Sequence, residues 1–158
     1  MPDLATLAAR GRVLPILLHP DPLLRRVCAG LPDDPEQVAA DMLATMYAAP
    51  GRGLAAPQVG LPWRMFVIDT GWKEGGPSPL VALLPEIVDP SEEVASFTEG
   101  CLSILDRPVA VIRPAAVTLR WTDLTGARHE RRVTGIEAVC AQHEADHLDG
   151  RLILDFER

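Results

Sequence analysis

The chain is poor in cysteine, and this scarcity excludes one class of protein. Its 158 residues include three cysteines, Cys28, Cys101 and Cys140, with no CxxC pair among them. An odd and sparse set argues against a disulfide framework and favours a reducing compartment. The length is typical of a single domain and sufficient to bury a core without disulfides or a structural metal.

Long apolar runs are also missing. The longest, residues 13–18 and 79–88, contain prolines or a charge. Both fall short of the roughly 18 residues that a membrane span requires. The beginning of the chain has no secretory pattern, because Asp3 precedes a short segment that is rich in alanine and contains arginine. We therefore expect a cytoplasmic protein without a membrane partner.

Positive charge is in deficit as well, since the formal net charge is −7 at pH 7. Such a field repels nucleic acid and anionic membranes, so we expect no direct nucleic-acid binding. Residues 128–132 form a local basic cluster, but Glu130 interrupts it. We interpret this cluster as the solvated edge of a strand.

The pattern along the chain predicts one main domain. Residues 1–12 have the character of a loose N-terminal extension, and residues 13–158 form a single domain. Apolar residues at helical spacing predict a helix over residues 35–48, capped by Asp33 or Asp34. Short strands are predicted near residues 64–69, 81–84, 94–97, 108–112, 117–122 and 129–133.

The last strong element is a helix over about residues 135–148. Thr134 and Glu137 are placed for a capping box, and Gly150 is placed to end the helix. One face of this helix carries both apolar residues and histidines at spacings of three and four, namely Ile136, Val139, Cys140, His143 and His147. Two histidines on an inward face need a chemical reason.

Metal binding would supply this reason, because His143, Glu144 and His147 form an HExxH sequence. One helical turn separates the two imidazoles, so both can reach one ion from the same side. Glu144 lies beside them and can take a proton from water bound to that ion. The alternative is a pair of core histidines that are satisfied by hydrogen bonds.

A catalytic metal site usually has a third protein ligand, which we expect upstream. One large protease group places a histidine six residues beyond the second histidine, but Ile153 stands there and only 11 residues follow His147. Cys101, beside Gly100 in the segment EGCLS, is the favoured ligand because a thiolate binds first-row metals strongly. Cys140 is the rival, but it would lie almost in line with the two histidines.

Residues 51–60 form a third cluster, with glycines and a proline around small residues. Gln58 in this cluster could present an amide N–H to a developing oxyanion. The plainer interpretation is a tight turn that leads into the strand near residues 64–69.

Three segments in this order resemble the motifs of the peptide deformylase family: residues 53–60 (GLAAPQVG), 99–103 (EGCLS) and 142–148 (QHEADHL). The similarity runs from about residue 14 to residue 156. It implies an α+β fold with small antiparallel sheets packed around a central HExxH helix. It also implies that residues 13–158 are one catalytic domain, a metallo-hydrolase that removes the formyl group from the N-terminal formylmethionine of new polypeptides and releases formate.

The resemblance assigns roles to individual residues. Cys101, His143 and His147 match the ligands of one divalent metal, most often Fe²⁺, with Zn²⁺, Ni²⁺ or Co²⁺ as substitutes. Glu144 matches the general base, and Gln58 with the backbone N–H of Leu102 matches the oxyanion donors. The implied substrate-binding residues are Arg52, Gly53, Phe97, Glu99, Gly100, Ile136, Val139 and Cys140. The implied partners are an N-formylated nascent peptide and, transiently, the ribosome.

The chain departs from the usual family pattern at the substrate rim. Arg52 stands where a small apolar residue is usual, Leu105 replaces a common proline, and Pro108 stands at a frequent arginine. None of the three is a metal ligand or a proton-handling group. Two alternatives therefore stay open: hydrolysis of another N-acylated peptide or small formamide, and a non-catalytic homologue that binds metal or a peptide.

Overall fold

The computed structural model describes residues 3–157, which contain three α-helices and seven strands. The helices are α1 (Leu4–Ala9), α2 (Pro35–Ala48) and α3 (Gly135–Leu148). The strands are β1 (Gly53–Ala55), β2 (Met65–Ile68), β3 (Leu80–Val88), β4 (Val94–Cys101), β5 (Ile104–Pro114), β6 (Ala116–Thr122) and β7 (Arg128–Thr134). Residues 1, 2 and 158, which fall within the predicted segments 1–12 and 13–158, lie outside the described residues.

The strands form two antiparallel sheets. The larger sheet has the order β1-β2-β3-β6-β7, and the smaller one pairs β4 with β5. The prediction of an α+β fold with antiparallel sheets is confirmed. The basic cluster of residues 128–132 lies on β7, at an edge of the larger sheet, as expected.

Helix α2 begins where the sequence predicts. The side chain of Asp34 accepts a hydrogen bond from the backbone N–H of Gln37, and Pro35 occupies the first turn, where its missing N–H costs nothing. Its buried face includes Met42, Leu43 and Met46, which pack against the larger sheet. This burial fixes the helix on one face of that sheet.

The strand β2 is buried on both faces because a helix covers each side. Met65 and Val67 pack into the core beneath α2, whereas Phe66 and Ile68 pack into the core beside α3. Side chains of a strand alternate between faces, so each core takes every second residue. The sheet therefore lies between the two long helices and holds α3 firmly in place.

The expected loose extension is wrong for the described part of residues 1–12, because this part contains α1. The side chain of Asp3 caps the helix by accepting from the backbone N–H of Ala5. Leu7 is buried against α2, and a Cβ on Gly11 would lie 1.9 Å from Ala40 O. This close approach leaves room only for glycine. The division of the chain at residue 12 itself stays a prediction.

Helix α3 has the predicted bounds, but its predicted capping box does not form. Thr134 is the residue before the helix, yet its side chain makes no capping hydrogen bond. Glu137 instead accepts from Arg131 Nη2 at 2.6 Å, which removes it from the helix start. At the other end Gly150 adopts a φ of 73° and donates its N–H to His147 O, as a helix stop requires.

No helix within residues 3–157 is long and apolar enough to cross a membrane.

Candidate metal centre

Three potential ligands converge from one strand of the smaller sheet and from helix α3. The end of β4 delivers Cys101, and α3 delivers His143 and His147. Sγ of Cys101 lies 3.4 Å from Nε2 of His147, which lies 3.2 Å from Nε2 of His143. Ligands on a tetrahedral ion are roughly 3.3 to 3.8 Å apart, given metal–ligand bonds of about 2.0 to 2.3 Å, so the two separations are close to this range. The three residues thus fit one divalent ion, and Cys140 is not part of this cluster.

The charges around His143 favour a cation at this point. Burial alone would lower the pKa of His143, but the carboxylate of Glu144, the thiol of Cys101 and the carboxylate of Glu99 raise it to about 10. Burial lowers the pKa of His147, so its imidazole is neutral and keeps a lone pair for a ligand bond. A site that stabilises positive charge between two imidazoles and a thiol has the character of a metal site.

A buried clamp positions His143. Nδ1 of His143 donates to Glu99 Oε1 at 2.9 Å, and Arg113 holds both oxygens of Glu99 at 2.7 and 3.0 Å. Arg113 also donates to Asp146 at 2.8 Å, and its guanidinium lies over the ring of Phe156. Burial opposes the charge of Glu99, but the hydrogen bonds from His143 and Arg113 lower its pKa. Sequence reasoning did not predict a role for Arg113. The signal that could have indicated one is a charged residue at the end of an apolar strand.

Glu144 sits where it can handle protons. It is buried, and this burial raises its pKa to about 7. Its Oε1 has no hydrogen-bond partner among the described residues, whereas Oε2 faces the backbone of β1. A Cβ on Gly53 would lie 2.5 Å from Oε2, so only glycine leaves this carboxylate its position. Gly53 in the segment GLAAPQVG therefore leaves the space that the Glu144 carboxylate of the HExxH segment occupies.

The orientation of the Gln58 amide is fixed by its neighbours. The backbone N–H of Ala55 donates to Oε1 at 2.9 Å, and Nε2 donates to Ser103 Oγ at 3.1 Å. Nε2 also lies 3.7 Å from Cys101 Sγ. The amide thus turns its donor side to the end of β4, beside the cluster of potential ligands. Gln58 stands in the short 3-10 turn Ala56–Val59 that follows β1, so the predicted turn is present, and the donor role of Gln58 stays a prediction.

A pocket of about 390 Å³ opens above this cluster. Phe97 and Ile136 are 36% and 47% exposed at its wall, so they offer apolar surface to a ligand. His147 is buried behind the pocket. All the other predicted site residues line it: Arg52, Gly53, Gln58, Phe97, Glu99, Gly100, Cys101, Leu102, Ile136, Val139, Cys140, His143 and Glu144.

Burial raises the pKa of the Cys140 thiol to about 12. Cys140 therefore stays a neutral thiol at neutral pH, which suits the wall of a pocket better than a metal ligand.

The pocket also has a wall that sequence reasoning missed. The 3-10 turn Trp72–Glu74 lies against the residues that precede β1, and Lys73 lines the pocket. The ring of Trp72 packs edge-on against Tyr47, whose hydroxyl donates to Asp69 at 2.6 Å. These contacts join residues that are far apart in sequence, so no local pattern predicts them.

A thiol, two imidazoles and a buried carboxylate around one pocket have counterparts among known proteins. Residues 13–157 match the family model described as polypeptide deformylase. The chain belongs to the polypeptide deformylase family. This membership confirms the family resemblance that the three sequence segments predict, and members of this deformylase family are metallo-hydrolases.

Two relatives show how far the similarity extends. The chain is 47% identical over 148 residues to a peptide deformylase of Rhizorhabdus wittichii, covering 89% of this chain and 84% of that protein. It is 45% identical over 146 residues to a peptide deformylase of Mesorhizobium japonicum, covering 90% of this chain and 83% of that protein.

Solved deformylase structures share the fold. A peptide deformylase from Legionella pneumophila superposes with a TM-score of 0.86 at 36% identity, covering 92% of this chain and 86% of that chain. A class I type b peptide deformylase from Acinetobacter baumannii, solved with Met-Ala-Ser bound, superposes with a TM-score of 0.84 at 30% identity. That match covers 91% of this chain and 98% of the Acinetobacter chain.

Proposed function

We propose that this family member removes the formyl group from the N-terminal formylmethionine of nascent polypeptides and releases formate. The observation that carries the proposal is the convergence of Cys101, His143 and His147, the last buried behind one pocket whose lining includes the other two and Glu144. The named relatives support the reaction. The peptide in the Acinetobacter structure, Met-Ala-Ser, begins with the residue that the proposed reaction would leave at the N-terminus.

Cys101, His143 and His147 would hold one divalent ion, and we propose Fe²⁺, with Zn²⁺, Ni²⁺ or Co²⁺ as substitutes. The donor set of one thiolate and two imidazoles accepts all four. When bound, the ion supplies Lewis acidity, which lowers the pKa of water and polarises a carbonyl group. Glu99 and Arg113 orient His143 for this role through the clamp described above.

Glu144 is the proposed general base and then the general acid. Its carboxylate takes a proton from the water that adds to the formyl carbon, and it delivers that proton to the amine nitrogen as the C–N bond breaks. A pKa of about 7 suits both steps, because a group that titrates near the working pH accepts and donates with similar ease. Formate and a free N-terminal amine are the products.

Two donors are proposed for the oxygen of the formyl group. The side-chain amide of Gln58 and the backbone N–H of Leu102 would donate to this oxygen as it gains negative charge. The fixed orientation of the Gln58 amide supports this role, since a preorganised donor needs no rearrangement during the reaction. Leu102 follows Cys101 directly, so its N–H belongs to the same turn as the metal ligand.

The pocket wall fits an unbranched apolar side chain such as methionine. Phe97, Ile136, Val139 and Cys140 supply an apolar lining whose only ionisable group, the Cys140 thiol, stays neutral. We propose that Gly53, with Glu99 and Gly100 on the opposite wall, flanks the backbone of the bound peptide. The absence of a side chain on Gly100 allows a close approach, since nothing lies within 4 Å of a Cβ at this position.

Formate release from formyl-Met-Ala-Ser tests the proposal. Protein loaded with iron under anaerobic conditions should release formate, and Glu144→Gln should not. Glu137→Gln on the same helix is the matched control and should retain activity, because Glu137 bonds to Arg131 away from the site. No release above the Glu144→Gln background would overturn the proposal. Faster hydrolysis of the acetylated peptide than of the formylated one would favour the alternative with another N-acyl substrate.

Two further parts of the proposal concern the cellular compartment of the enzyme and its contact with the ribosome. The three free cysteines fit a reducing cytoplasm, where nascent chains carry formylmethionine. Transient contact with the ribosome stays a prediction, which co-sedimentation of the protein with translating ribosomes would test.

A further inference from the structure

Two cationic side chains stand at the mouth of the pocket. Arg52 lines it from the segment before β1, and Lys73 lines it from the 3-10 turn Trp72–Glu74. Of the 15 lysine and arginine residues in the chain, Lys73 is the one lysine. In a chain of net charge −7, two positive charges that line the same pocket are unexpected.

Hydrogen bonds from side chains to backbone carbonyls connect the two segments that carry these charges. Nε1 of Trp72 donates to Gly51 O at 2.9 Å, and Nζ of Lys73 donates to Pro50 O at 3.3 Å. The turn that carries Lys73 is thereby tied to the segment that carries Arg52. The fold therefore brings the two cationic residues to the same pocket.

The positive charge at the mouth is only partly compensated. Nη2 of Arg52 donates to Glu74 Oε1 at 2.8 Å, but the two side chains are 36% and 63% exposed, so solvent screens this pair. Nζ of Lys73 bonds to a carbonyl oxygen, which does not neutralise its charge. Arg52, Lys73 and Glu74 together leave one net positive charge.

The acidic groups deeper in the pocket do not cancel this charge. Glu99 is already paired with Arg113 and His143, and Glu144 is engaged in the reaction proposed above. The charge of Arg52 also reaches the interior, where it opposes the rise that burial and the carboxylate of Glu144 cause in the pKa of Cys140. A ligand that enters the pocket therefore passes a positive potential at the entrance.

We propose that Arg52 and Lys73 form a subsite for an anionic group of the substrate, located beyond the formylated residue. This inference rests on the proposed function. The subsite accepts a carboxylate, which is either an acidic side chain of the peptide or the free C-terminus of a short one. Peptides with such a group are hydrolysed faster than neutral ones, and basic peptides are hydrolysed more slowly.

Four peptides test whether the subsite prefers a negative charge, and whether a side chain or the C-terminus can supply it. They are formyl-Met-Ala-Ser-amide, formyl-Met-Asp-Ser-amide, formyl-Met-Lys-Ser-amide and formyl-Met-Ala-Ser with a free C-terminus. We expect kcat/KM for the aspartate peptide to exceed that for the lysine peptide by roughly tenfold at low salt. The free acid measured against its amide reports whether a terminal carboxylate is accepted as well. The preference should shrink at about 1 M salt, where the Debye length is about 3 Å.

Substitutions test whether Arg52 and Lys73 cause the preference for the aspartate peptide over the lysine peptide. In Arg52→Met, Lys73→Met and the double variant, the ratio of kcat/KM for the aspartate and lysine peptides should fall, to about twofold or less in the double variant. Glu74→Gln should raise the ratio, because it removes the offsetting charge. Arg128→Met is the matched control, since Arg128 lies on the exposed strand β7, and it should leave the ratio unchanged.

Chemical modification tests the charge in the native chain. Because the chain has one lysine, acetylation neutralises Lys73, whereas reductive methylation preserves its charge; both reagents also modify the N-terminal amine. Acetylated protein should lose part of the preference and methylated protein should keep it. This comparison avoids any effect of a substitution on folding.

The outcomes separate the two proposals. Equal kcat/KM for the aspartate, neutral and lysine peptides would overturn the subsite while leaving the proposed function intact. A preference that survives in the double variant would also overturn it. If the iron-loaded protein hydrolyses none of the four peptides, the proposed function fails and the subsite fails with it.

Discussion

Oε1 of Glu99 lies 2.9 Å from Nδ1 of His143, and this contact turns the opposite ring nitrogen toward Cys101 and His147. A ligating histidine usually donates its second N–H in this way, which fixes both the tautomer and the ring orientation. Here the acceptor is itself held at both oxygens by Arg113. The geometry of the proposed ligands therefore depends on a chain of buried charges that extends to Arg113 on β5.

Glu99→Gln should weaken metal binding by roughly 10- to 100-fold, because the neutral amide no longer holds the imidazole with a full charge. Competition with a chelator, followed by the rate of metal loss, measures this effect. Glu92→Gln at an exposed position is the control. Equal metal retention in both variants would show that Glu99 does not position His143.

Arg113→Met should destabilise the fold by about 3 to 5 kcal/mol, because it removes the buried guanidinium that pairs with the carboxylates of Glu99 and Asp146. Arg120→Met breaks the exposed pair with Glu130 and should cost about 0 to 1 kcal/mol. Urea unfolding of both metal-free variants gives the two free energies of unfolding. Similar losses in the two variants would mean that the buried clamp is no stronger than a surface pair.

Gly53→Ala should lower kcat on the order of 100-fold while leaving the metal content unchanged. The added methyl group would meet Oε2 of Glu144 at 2.5 Å and push the carboxylate from its position. Gly76→Ala is a suitable control, because its nearest neighbour would lie 3.8 Å away. Formate release and metal analysis on the same samples separate the two effects. Full activity in Gly53→Ala would contradict the close approach.

Asp155 should contribute stability that acid removes. Its hydrogen bond from Arg25, at 2.6 Å, lowers its pKa below the ordinary value of 3.8. Because the folded state binds this proton less readily, the stabilisation is present above pH 3.8 and disappears as pH falls through the lowered value. Asp155→Asn should therefore reduce the free energy of unfolding by under about 1 kcal/mol at pH 7, since the pair is partly exposed. If the difference in free energy of unfolding between the native chain and Asp155→Asn stays constant from pH 7 to low pH, this prediction is wrong.

The sequence predicted the elements whose signals are local. Asp34 and Pro35 mark the start of α2, and the apolar spacing that follows marks its face. The strand β3 runs past its predicted end, because an irregularity in its pairing with β6 between Leu83 and Glu86 accommodates Pro85. The helix α1 was missed because six residues are too few for a strong pattern, and it is stabilised by packing of Leu7 against α2 together with the cap by Asp3.

The candidate site divides in the same way. Gln58, Cys101 and His143 each belong to a short motif of consecutive residues. The residue types and spacing within each motif therefore predicted these three site residues. Arg113 and Lys73 reach the site through tertiary contacts that join separate strands and turns, and no spacing rule connects them to the HExxH segment. Long-range pairing of single charged residues is the part of the site that the sequence does not encode locally.

The absorption spectrum of the Co²⁺-loaded protein tests the metal centre most directly. We predict one cobalt ion per chain and a thiolate-to-metal charge-transfer band that disappears in Cys101→Ser and persists in Cys140→Ser. A band that survives in Cys101→Ser, or that is lost in Cys140→Ser, would contradict the assignment of Cys101, His143 and His147 as the ligands.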